Sequence, residues 1–517
     1  MVPAIMGKAA DGAEPTEPLL PVAEACDGHR SGDTGAASVS GAVFNVSTSI
    51  VGAGIMSIPA AMRVLGVVPA VLLIAAVAAL ANSSVEFLLR YSKSSGGRGD
   101  GGSYAGVMHD AFGRAGAVLL NVCVAFTTMG TLVVYLIIIG DVMCGSAAGA
   151  DAHVGVLQEF FGQRWWTTRV VVLLVIALVV LLPLVLRRRV DSLRYTSAVS
   201  ILLAIIFIVI SLGISVYAVI KGTVKMPRMF PDFSRLSSPF ELCTAVPVIV
   251  VAFTFHFNVH PIRAELKTTS DMKEAVRISL VLCAAIYAAV GFFGFLLFGE
   301  STMADVLINY DRSSGAGVPQ LLNDLARLSY ALHLVLVFPL LNFSLRINVD
   351  ELLFGGRKHS PLFIDTRRFI FLTAALMALL YALAIAIPSI WTLIQYGGSV
   401  FPVSLSLIFP GAIVLRDTQR VAKNKDKALA VTMILLALIS SSIAITTNIM
   451  NSKNKTLKIQ KLAEFLRSKK RKLLLVAMQI NSTPLRWQPA QFVPKNKRRL
   501  DIIESGWKSR SIYAVIE

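Results

Sequence analysis

Long apolar stretches separated by short polar connections dominate the chain after residue 38. Eleven such spans can be drawn, with approximate limits 39–62, 67–90, 115–143, 168–186, 196–220, 244–261, 277–299, 320–345, 368–390, 393–415 and 427–449. A helix of about 20 residues crosses a hydrocarbon core of about 30 Å. Backbone groups in that core must be hydrogen-bonded within the protein, which only helices achieve in apolar segments of this kind. The pattern therefore predicts an all-α, multi-pass membrane protein with about 11 transmembrane helices.

Composition agrees with a membrane protein and excludes other classes. Hydrophobic residues make up 55% of the 517 residues and charged residues 15%, whereas a soluble protein carries about 25% charged residues. A soluble enzyme, a disulfide scaffold and a disordered chain are therefore excluded. The sequence lacks a GxxxxGK[ST] phosphate loop and its five cysteines form no CxxC pair, so we expect neither a cofactor nor a metal centre.

Two polar tails flank the apolar spans and define the domain organisation. Residues 1–38 are rich in Gly, Ala, Pro and Glu and net acidic, which predicts a disordered tail. Residues 39–449 form the predicted transmembrane domain. Residues 450–517 form a basic tail that we expect to be disordered or atypical; residues 451–517 hold 16 Lys and Arg against 4 Asp and Glu. We interpret its KNKRR run (Lys495 to Arg499) as solvated or membrane-surface sequence, not as a nucleic-acid site.

The distribution of Lys and Arg between the connections predicts the orientation in the membrane. With a cytosolic N-terminus, the cytosolic connections and helix ends carry 22 of these residues and the opposite ones carry 9. Positive charge is favoured on the cytosolic side, so we expect the N-terminus there. The segment EPTEPLL is close to an acidic dileucine sorting signal, although Glu14 stands one residue too far from Leu19. We therefore favour a vacuolar or other endomembrane location over the plasma membrane.

Spans 1 and 6 contain residues that interrupt a helix. Span 1 reads NVSTSIVGAGIMSIPAA, in which Gly52, Gly54 and Pro59 weaken helical hydrogen bonding. Span 6 contains Pro261 in the segment FHFNVHPIRAEL, and its missing donor predicts freed carbonyls around Phe257 and Asn258. Irregular backbone at this depth is tolerated only in a cavity or buried in protein.

The interruptions lie five spans apart, which fits two inverted five-helix repeats plus one further helix. Such paired interruptions point to a transporter's binding site. The N–H groups at the start of a half-helix favour a carboxylate, and freed carbonyls favour a cation or ammonium. The pattern therefore predicts a small zwitterion or anion as substrate.

These segments, with YLIIIGD in span 3 (Tyr135 to Asp141) and FPGAIVLRD at the end of span 10 (Phe409 to Asp417), resemble the amino acid/auxin permease family. The resemblance is greatest to plant vacuolar-type amino acid transporters, relatives of the sodium-coupled neutral amino acid transporters, and runs from about residue 40 to 449. It implies a leucine-transporter-like fold with a 5+5 inverted repeat plus one helix. It also implies secondary active transport of amino acids.

The resemblance assigns roles to residues at the two interruptions. The span-1 asparagine lies near the coupling cation in relatives, and the GAG stretch is expected to hold the substrate carboxylate through backbone N–H groups. Aromatic residues in span 6 are expected to narrow the pocket. The residues expected to bind substrate are Asn45, Ser49, Gly52, Ala53, Gly54, Phe255, Phe257 and Asn258.

The coupling ion is predicted from a departure in span 8. Sodium-coupled relatives have threonines before a proline there, whereas this chain has Val335 to Phe338 before Pro339. Valine side chains offer no oxygen ligand, so we expect coupling to protons and consider sodium the weaker candidate. Histidine titrates near neutral pH. The candidate coupling residues are Asn45, His256, His333 and Asp141; His260, next to Pro261, fits a structural hydrogen bond equally well.

The sequence leaves two classes of function open. The first is a proton-coupled secondary transporter of amino acids, with symport or antiport unresolved, whose partners are the amino acid, the proton and the lipid bilayer. The second is a membrane sensor or scaffold that binds amino acids without net transport. A sodium-coupled carrier is a variant of the first class. The identity of the amino acid stays open.

Overall fold

The computed structural model of the chain describes residues 38–94, 102–146, 153–187, 194–234, 239–312, 320–355, 362, 364–387, 398 and 400–450. Both predicted tails lie outside these ranges. Apart from one pair of two-residue strands, Gly145–Ser146 and His153–Val154, the regular structure of the described residues is helical. This agrees with the all-α prediction.

A helix occupies the position of every predicted span. Among the described residues, eight helices are long and apolar enough to cross a membrane, and the bent pair in span 1 makes nine. Spans 4 and 10 are shorter apolar helices, so the count of 11 membrane crossings stays a prediction. In chain order the helices at the predicted spans are Val39–Ile50 with Ala53–Leu65, Val67–Ser94, Tyr104–Cys144, Arg169–Val185, Arg194–Ile220, Ala245–Ala252 with His256–Ala264, Thr269–Phe298, Gln320–Phe354, Thr366–Ala386, Phe401–Arg416 and Asn424–Met450. Two short helices, Val156–Phe161 and Val306–Arg312, lie in the connections after spans 3 and 7.

The start of span 3 differs most from the predicted limits. Its helix begins at Tyr104 rather than at residue 115. Ser103 caps it by accepting a hydrogen bond from the N–H of Gly106 at 2.9 Å, as expected of an N-cap serine. Gly113, with φ 68°, marks a kink inside the helix. Hydrophobicity alone missed the segment before this kink because it carries polar residues.

Spans 4 and 10 contain π-helical turns, at Ile176–Leu181 and Ser404–Ile408. Such turns leave carbonyl groups to be satisfied from outside the helix. In span 10 the carbonyl of Leu405 accepts from the Tyr104 hydroxyl at 2.8 Å, and that of Ser406 accepts from the Ser84 hydroxyl at 2.6 Å. Spans 2 and 3 therefore hold the irregular part of span 10.

Span 8 lies at the centre of the bundle and span 11 at its edge. In their most apolar windows, 83% of the span-8 residues are buried, against 28% in span 11. Span 8 packs mainly against spans 3 and 5, and span 7 packs against span 1. The exposed Leu, Ile and Val side chains of the outer spans match a lipid surface. The central position of span 8 places its polar side chains next to the span-1 interruption.

A polar cluster joins spans 2, 10 and 11 at one end of the bundle. Asp417 follows span 10 in a left-handed conformation. Its carboxylate accepts from the Tyr91 hydroxyl at 2.7 Å, from the N–H groups of Val421 and Ala422, and pairs with Lys427 at 3.1 Å. Burial alone would raise the pKa of this carboxyl, but the hydrogen bonds outweigh burial and lower its pKa to about 2.

Neighbouring ion pairs extend this cluster to span 7. Arg90 pairs with Asp426 at 2.6 Å, and Lys273 pairs with Glu86 at 3.2 Å. On the predicted orientation the whole cluster faces the cytosol. The FPGAIVLRD segment thus ends in a residue that attaches span 10 to its neighbours.

We expect Asp417→Ala to lower the melting temperature of the detergent-solubilised protein by about 2–5 °C, because four hydrogen-bonding partners are lost. The stabilisation by Asp417 is present above the unfolded-state pKa of about 3.9 and is lost as pH falls toward 2. Glu274→Ala, which removes an exposed carboxylate at the same end of span 7, serves as the control. Equal melting temperatures for the two variants would contradict the role given to Asp417.

Candidate functional site

Span 1 is broken between Ile50 and Ala53, as the sequence predicted. The two halves meet at an angle of 49°, and the second half begins with a 3₁₀ turn, Ala53–Ser57. The backbone of Gly52 is extended, a conformation that any residue can adopt. Glycine is needed there because a side chain would not fit. A Cβ at Gly52 would lie 2.1 Å from the Tyr135 hydroxyl, and one at Gly54 would lie 2.9 Å from the Cα of Ala252 in span 6. Spans 1 and 6 therefore contact each other closely at Gly54.

Three side chains contact three consecutive carbonyl groups at the break; that of Gly52 also accepts from the backbone N–H of Ile55 at 3.1 Å. The Tyr287 hydroxyl donates to the carbonyl of Ile50 at 2.6 Å, and the Tyr330 hydroxyl donates to that of Gly52 at 2.6 Å. The ring nitrogen Nε2 of His333 lies 3.1 Å from the carbonyl oxygen of Val51. Tyr287 also lies 2.7 Å from the carbonyl oxygen of Ala252, so it joins both breaks.

The sequence analysis missed these tyrosines, although a signal for them exists. A buried tyrosine hydroxyl needs a hydrogen-bond partner, and Tyr135, Tyr287 and Tyr330 are all at most 1% exposed within apolar spans. A tyrosine deep inside such a span therefore indicates freed backbone nearby.

The N–H groups at the same break have no backbone acceptor. Among the described residues, no backbone carbonyl accepts from the N–H of Gly52 or Gly54. These are the first N–H groups of the half-helix that runs to Leu65, where an anion is favoured. The Tyr135 hydroxyl lies beside them. The break thus offers donors to a ligand while its carbonyls are occupied.

Span 6 breaks earlier than the sequence predicted. Its first helix ends at Ala252 and its second begins at His256, so the irregular residues are Phe253 to Phe255. Phe257, Asn258 and Pro261 all lie in the second helix, so the break does not fall at these residues. Pro261 still has no N–H to donate to the carbonyl of Phe257, so the freed carbonyls expected there stay a prediction. A proline removes one hydrogen bond, and membrane helices tolerate this when neighbours cover the site.

A cavity of about 390 Å³ lies against both breaks. This volume is within the range of small-molecule sites. The cavity is bordered by spans 1, 3, 6, 8, 9 and 10, and among the described residues no Asp, Glu, Lys, Arg or His lines it. Of the residues expected to bind substrate, those that line it are Ser49, Gly52, Ala53, Gly54 and Phe257.

The other three expected residues lie outside the cavity lining. Asn258 donates to the Ser49 hydroxyl at 3.0 Å and accepts from the Ser344 hydroxyl of span 8, so it connects to the cavity through Ser49. Phe255 is fully buried in the core. Asn45 is 3% exposed, one turn before Ser49, and its side-chain oxygen has no partner among the described residues. Ser344 is a further residue that sequence reasoning missed.

The four candidate coupling residues are not gathered in one place. Asp141 pairs with Arg169 of span 4 at the end of span 3. His256 is buried, and neither ring nitrogen has a hydrogen-bond partner among the described residues; the same holds for His260, which stacks on Tyr104. His333 alone of the three histidines contacts the span-1 break.

His333 bridges three spans through both ring nitrogens. Nδ1 lies 2.7 Å from the carbonyl oxygen of Ser200 in span 5, and Nε2 lies 3.1 Å from that of Val51 in span 1. Thr48 of span 1 also donates to the carbonyl of Ser197 at 3.1 Å. A neutral imidazole has one N–H, whereas the imidazolium has two. The neutral ring can therefore donate to one of the two carbonyls, and the protonated ring to both.

A second titratable group near the site is Asp305, in the connection after span 7. Its side chain is 7% exposed and accepts from the N–H of Leu307 at 2.9 Å. Burial raises the pKa of this carboxyl to about 7, although that hydrogen bond and the charge of Arg327 act in the opposite direction. A single acid in a connection gave no signal in the sequence, because burial is not visible there.

Comparisons with known proteins agree with this architecture. The family described as transmembrane amino acid transporter protein matches residues 35–451. The chain is 51% identical to amino acid transporter AVT6C of Arabidopsis thaliana, over 83% of this chain and 97% of that protein. It is 25% identical to sodium-coupled neutral amino acid symporter 2 of Danio rerio, over 78% and 80% of the two chains.

Among solved structures, a manganese transporter from Eremococcus coleocola superposes with a TM-score of 0.51, at 15% identity, over 80% of this chain and 87% of that one. This likeness shows the fold alone, which is the leucine-transporter-like arrangement. The family match and the relatives in Arabidopsis thaliana show a multi-pass membrane transporter and not an enzyme. The chain belongs to the transmembrane amino acid transporter family.

We expect Gly54→Val to reduce amino acid uptake at least ~100-fold, because the added side chain meets the Ala252 backbone and separates spans 1 and 6. Uptake is measured in reconstituted vesicles, and size-exclusion chromatography checks that the variant folds. Gly213→Val is the matched control, since a Cβ at Gly213 meets no atom of the described residues within 4 Å. Normal uptake by a folded Gly54→Val protein would place the site elsewhere.

Proposed function

We propose that the protein is a proton-coupled secondary transporter of amino acids whose substrate binds at the breaks of spans 1 and 6. The observation that carries this proposal is the set of free N–H groups at Gly52 and Gly54, which border a cavity beside the Tyr135 hydroxyl. In an apolar site such donors hold a carboxylate well, because the anion loses its water but gains aligned dipoles.

The span-6 break supplies the complementary acceptors. No described backbone N–H donates to the carbonyl of Thr254, and both Thr254 and Ala252 border the cavity. Freed carbonyls of this kind suit an ammonium group. A zwitterion therefore bridges the two interrupted spans, and its binding energy favours the conformation in which they lie close together. Rocking of the repeats around this site gives alternating access.

Proton coupling is proposed to use His333. When this ring is protonated, both N–H groups donate, to the carbonyls of Val51 and Ser200; when it is neutral, one carbonyl faces a lone pair. Protonation therefore strengthens the contact of span 8 with spans 1 and 5, next to the substrate. The side chains of Val335 and Val337 offer no oxygen to sodium in the same span.

The proposal also covers the membrane that holds the protein and the direction in which the amino acid is transported. We place the protein in the vacuolar or another endomembrane with a cytosolic N-terminus. An acidic lumen then drives protons toward the cytosol, and the amino acid leaves the lumen with them. Asp305 is a second candidate for the proton, because a pKa of about 7 lets it bind a proton in an acidic compartment and release it near neutral pH.

The test is uptake of labelled alanine into vesicles that contain the purified protein, with the outside more acidic than the inside. We expect accumulation with the pH gradient and none without it. We expect His333→Gln to lose this accumulation while it keeps alanine exchange at equal pH, because the substrate groups are intact and only the titrating ring is gone.

His260→Gln and Asp305→Asn are the comparison variants. Both should accumulate alanine with the wild-type pH dependence. Unchanged pH dependence in His333→Gln would remove this histidine from the mechanism, and a selective loss in Asp305→Asn would assign the proton to the carboxyl. Accumulation driven by a sodium gradient would indicate a sodium-coupled carrier. Alanine binding without accumulation would indicate a sensor.

A further inference from the structure

Span 4 is shorter than the membrane that it is predicted to cross. Its helix, Arg169–Val185, spans about 26 Å at 1.5 Å per residue, whereas the hydrocarbon core is about 30 Å thick. Three arginines, Arg187 to Arg189, follow the helix at one end. Arginines at the end of a span reach into the headgroup layer. The opposite boundary of the core must therefore lie at the residues that precede this helix.

The exposed side chains of span 4 form a lipid-facing stripe. Val170, Leu174 and Leu178 are all exposed. They recur every four residues, which places them along one side of the helix. Exposed aliphatic side chains on an outer membrane helix are typical of a surface that meets lipid. This stripe therefore gives the direction in which span 4 faces the bilayer.

Four exposed aromatic residues precede the stripe in the chain. Phe160 and Phe161 end the short helix in the connection after span 3, and Trp165 and Trp166 begin the 3₁₀ turn before span 4. Their exposed fractions are 67%, 56%, 78% and 37% in chain order. Trp166 stands four residues before the first residue of the stripe. The apolar surface therefore continues from the side of span 4 onto these rings.

Hydrogen bonds and ring packing hold the aromatic residues in an ordered segment. The Thr167 hydroxyl accepts from the N–H three residues before it at 2.8 Å, and Thr167 is 1% exposed. Glu159 accepts from the side-chain amide of Gln320 in span 8 at 2.8 Å. The rings of Phe161 and Trp166 pack edge to face, with centroids 5.3 Å apart. The exposed rings are therefore presented by a structured part of the protein.

The chemistry of this segment fits the boundary between lipid and water. Tryptophan combines a large apolar ring with an N–H that needs a polar partner, and it is enriched at both membrane–water interfaces. Glu159, Gln163 and Arg164 alternate with the aromatic residues along the chain. Charged and polar side chains are costly in the hydrocarbon core. The segment is therefore too polar for the core, and its exposed rings are too apolar for water.

We propose that Phe160, Phe161, Trp165 and Trp166 form an aromatic anchor that lies among the lipid headgroups at the end of span 4. The partner of this surface is the phospholipid leaflet, which is the lumenal one on the predicted orientation. The anchor extends the apolar length of a short helix and makes span 4 a complete crossing, as a count of 11 spans requires. The inference holds whichever solute and ion the protein carries.

The test is the quenching of tryptophan fluorescence by bromine atoms on lipid chains. The protein has five tryptophans, and Trp391→Phe, Trp487→Phe and Trp507→Phe together leave Trp165 and Trp166 as the fluorophores. In phosphatidylcholine vesicles, bromine near the headgroup end of the acyl chains should quench this emission at least ~2-fold more than bromine near the chain ends.

A second variant keeps the test decisive if the triple variant does not fold. It carries Trp165→Phe and Trp166→Phe in the otherwise unchanged protein, and the emission that it loses relative to wild type should show the same preference for shallow bromine. Equal quenching by the two lipids, or stronger quenching by bromine at the chain ends, would overturn the anchor. Quenching by acrylamide in water without quenching by lipid, or protection from both because protein covers the rings, would also overturn it.

Cysteine labelling locates the membrane boundary independently. Gln163→Cys, at an exposed polar position before the tryptophans, should react with a membrane-impermeant maleimide above the wild-type background. Val170→Cys, in the lipid-facing stripe, should react at least ~10-fold more slowly, because the reactive thiolate is disfavoured in apolar surroundings. Equal reaction rates at the two positions would place the boundary inside span 4 and contradict the inference.

Discussion

The need to satisfy backbone groups inside a water-free membrane governs the site. A break in a helix exposes N–H and C=O groups, and each unsatisfied group in hydrocarbon is costly. In span 1 the carbonyl groups at the break have hydrogen-bonding partners, because Tyr287, His333 and Tyr330 contact them. The N–H groups of Gly52 and Gly54 have no backbone acceptor in the described part of the chain, and both residues border a cavity. The same break is therefore stable in the empty protein and ready for an anionic group.

This asymmetry connects the packing to the transport cycle. The carbonyl partners come from spans 7 and 8, which lie against span 1, while Tyr135 comes from span 3. On the proposed function, substrate binding at the break acts on the contacts between span 1 and these neighbours. Protonation of His333 would act on the same contacts, since the number of its N–H groups changes with its charge. The proposal thus lets substrate and proton bias one arrangement of helices, which is the requirement for coupling.

Much of the fold followed from the sequence, and the site followed in part. Apolar stretches placed the helices, and Gly52, Gly54 and Pro59 placed the span-1 break, because these residues act locally. The span-6 break was placed too late, because Pro261 is accommodated inside a helix and the irregular residues before His256 carry no glycine or proline. Tyr330 and His333 lie 278 and 282 residues from their partners in span 1, and local pattern does not encode such pairings. The burial that raises the pKa of Asp305 is likewise a property of the packed structure.

The central claim is that bare N–H groups of the span-1 break hold the carboxylate of an amino acid. Electron cryo-microscopy of the protein with bound alanine or leucine tests it most directly. We expect ligand density between the two breaks, with a carboxylate oxygen about 3 Å from the N–H groups of Gly52 or Gly54 and the ammonium facing Thr254. Ligand density elsewhere in the bundle, or a continuous helix through Gly52 with no ligand beside it, would contradict the account.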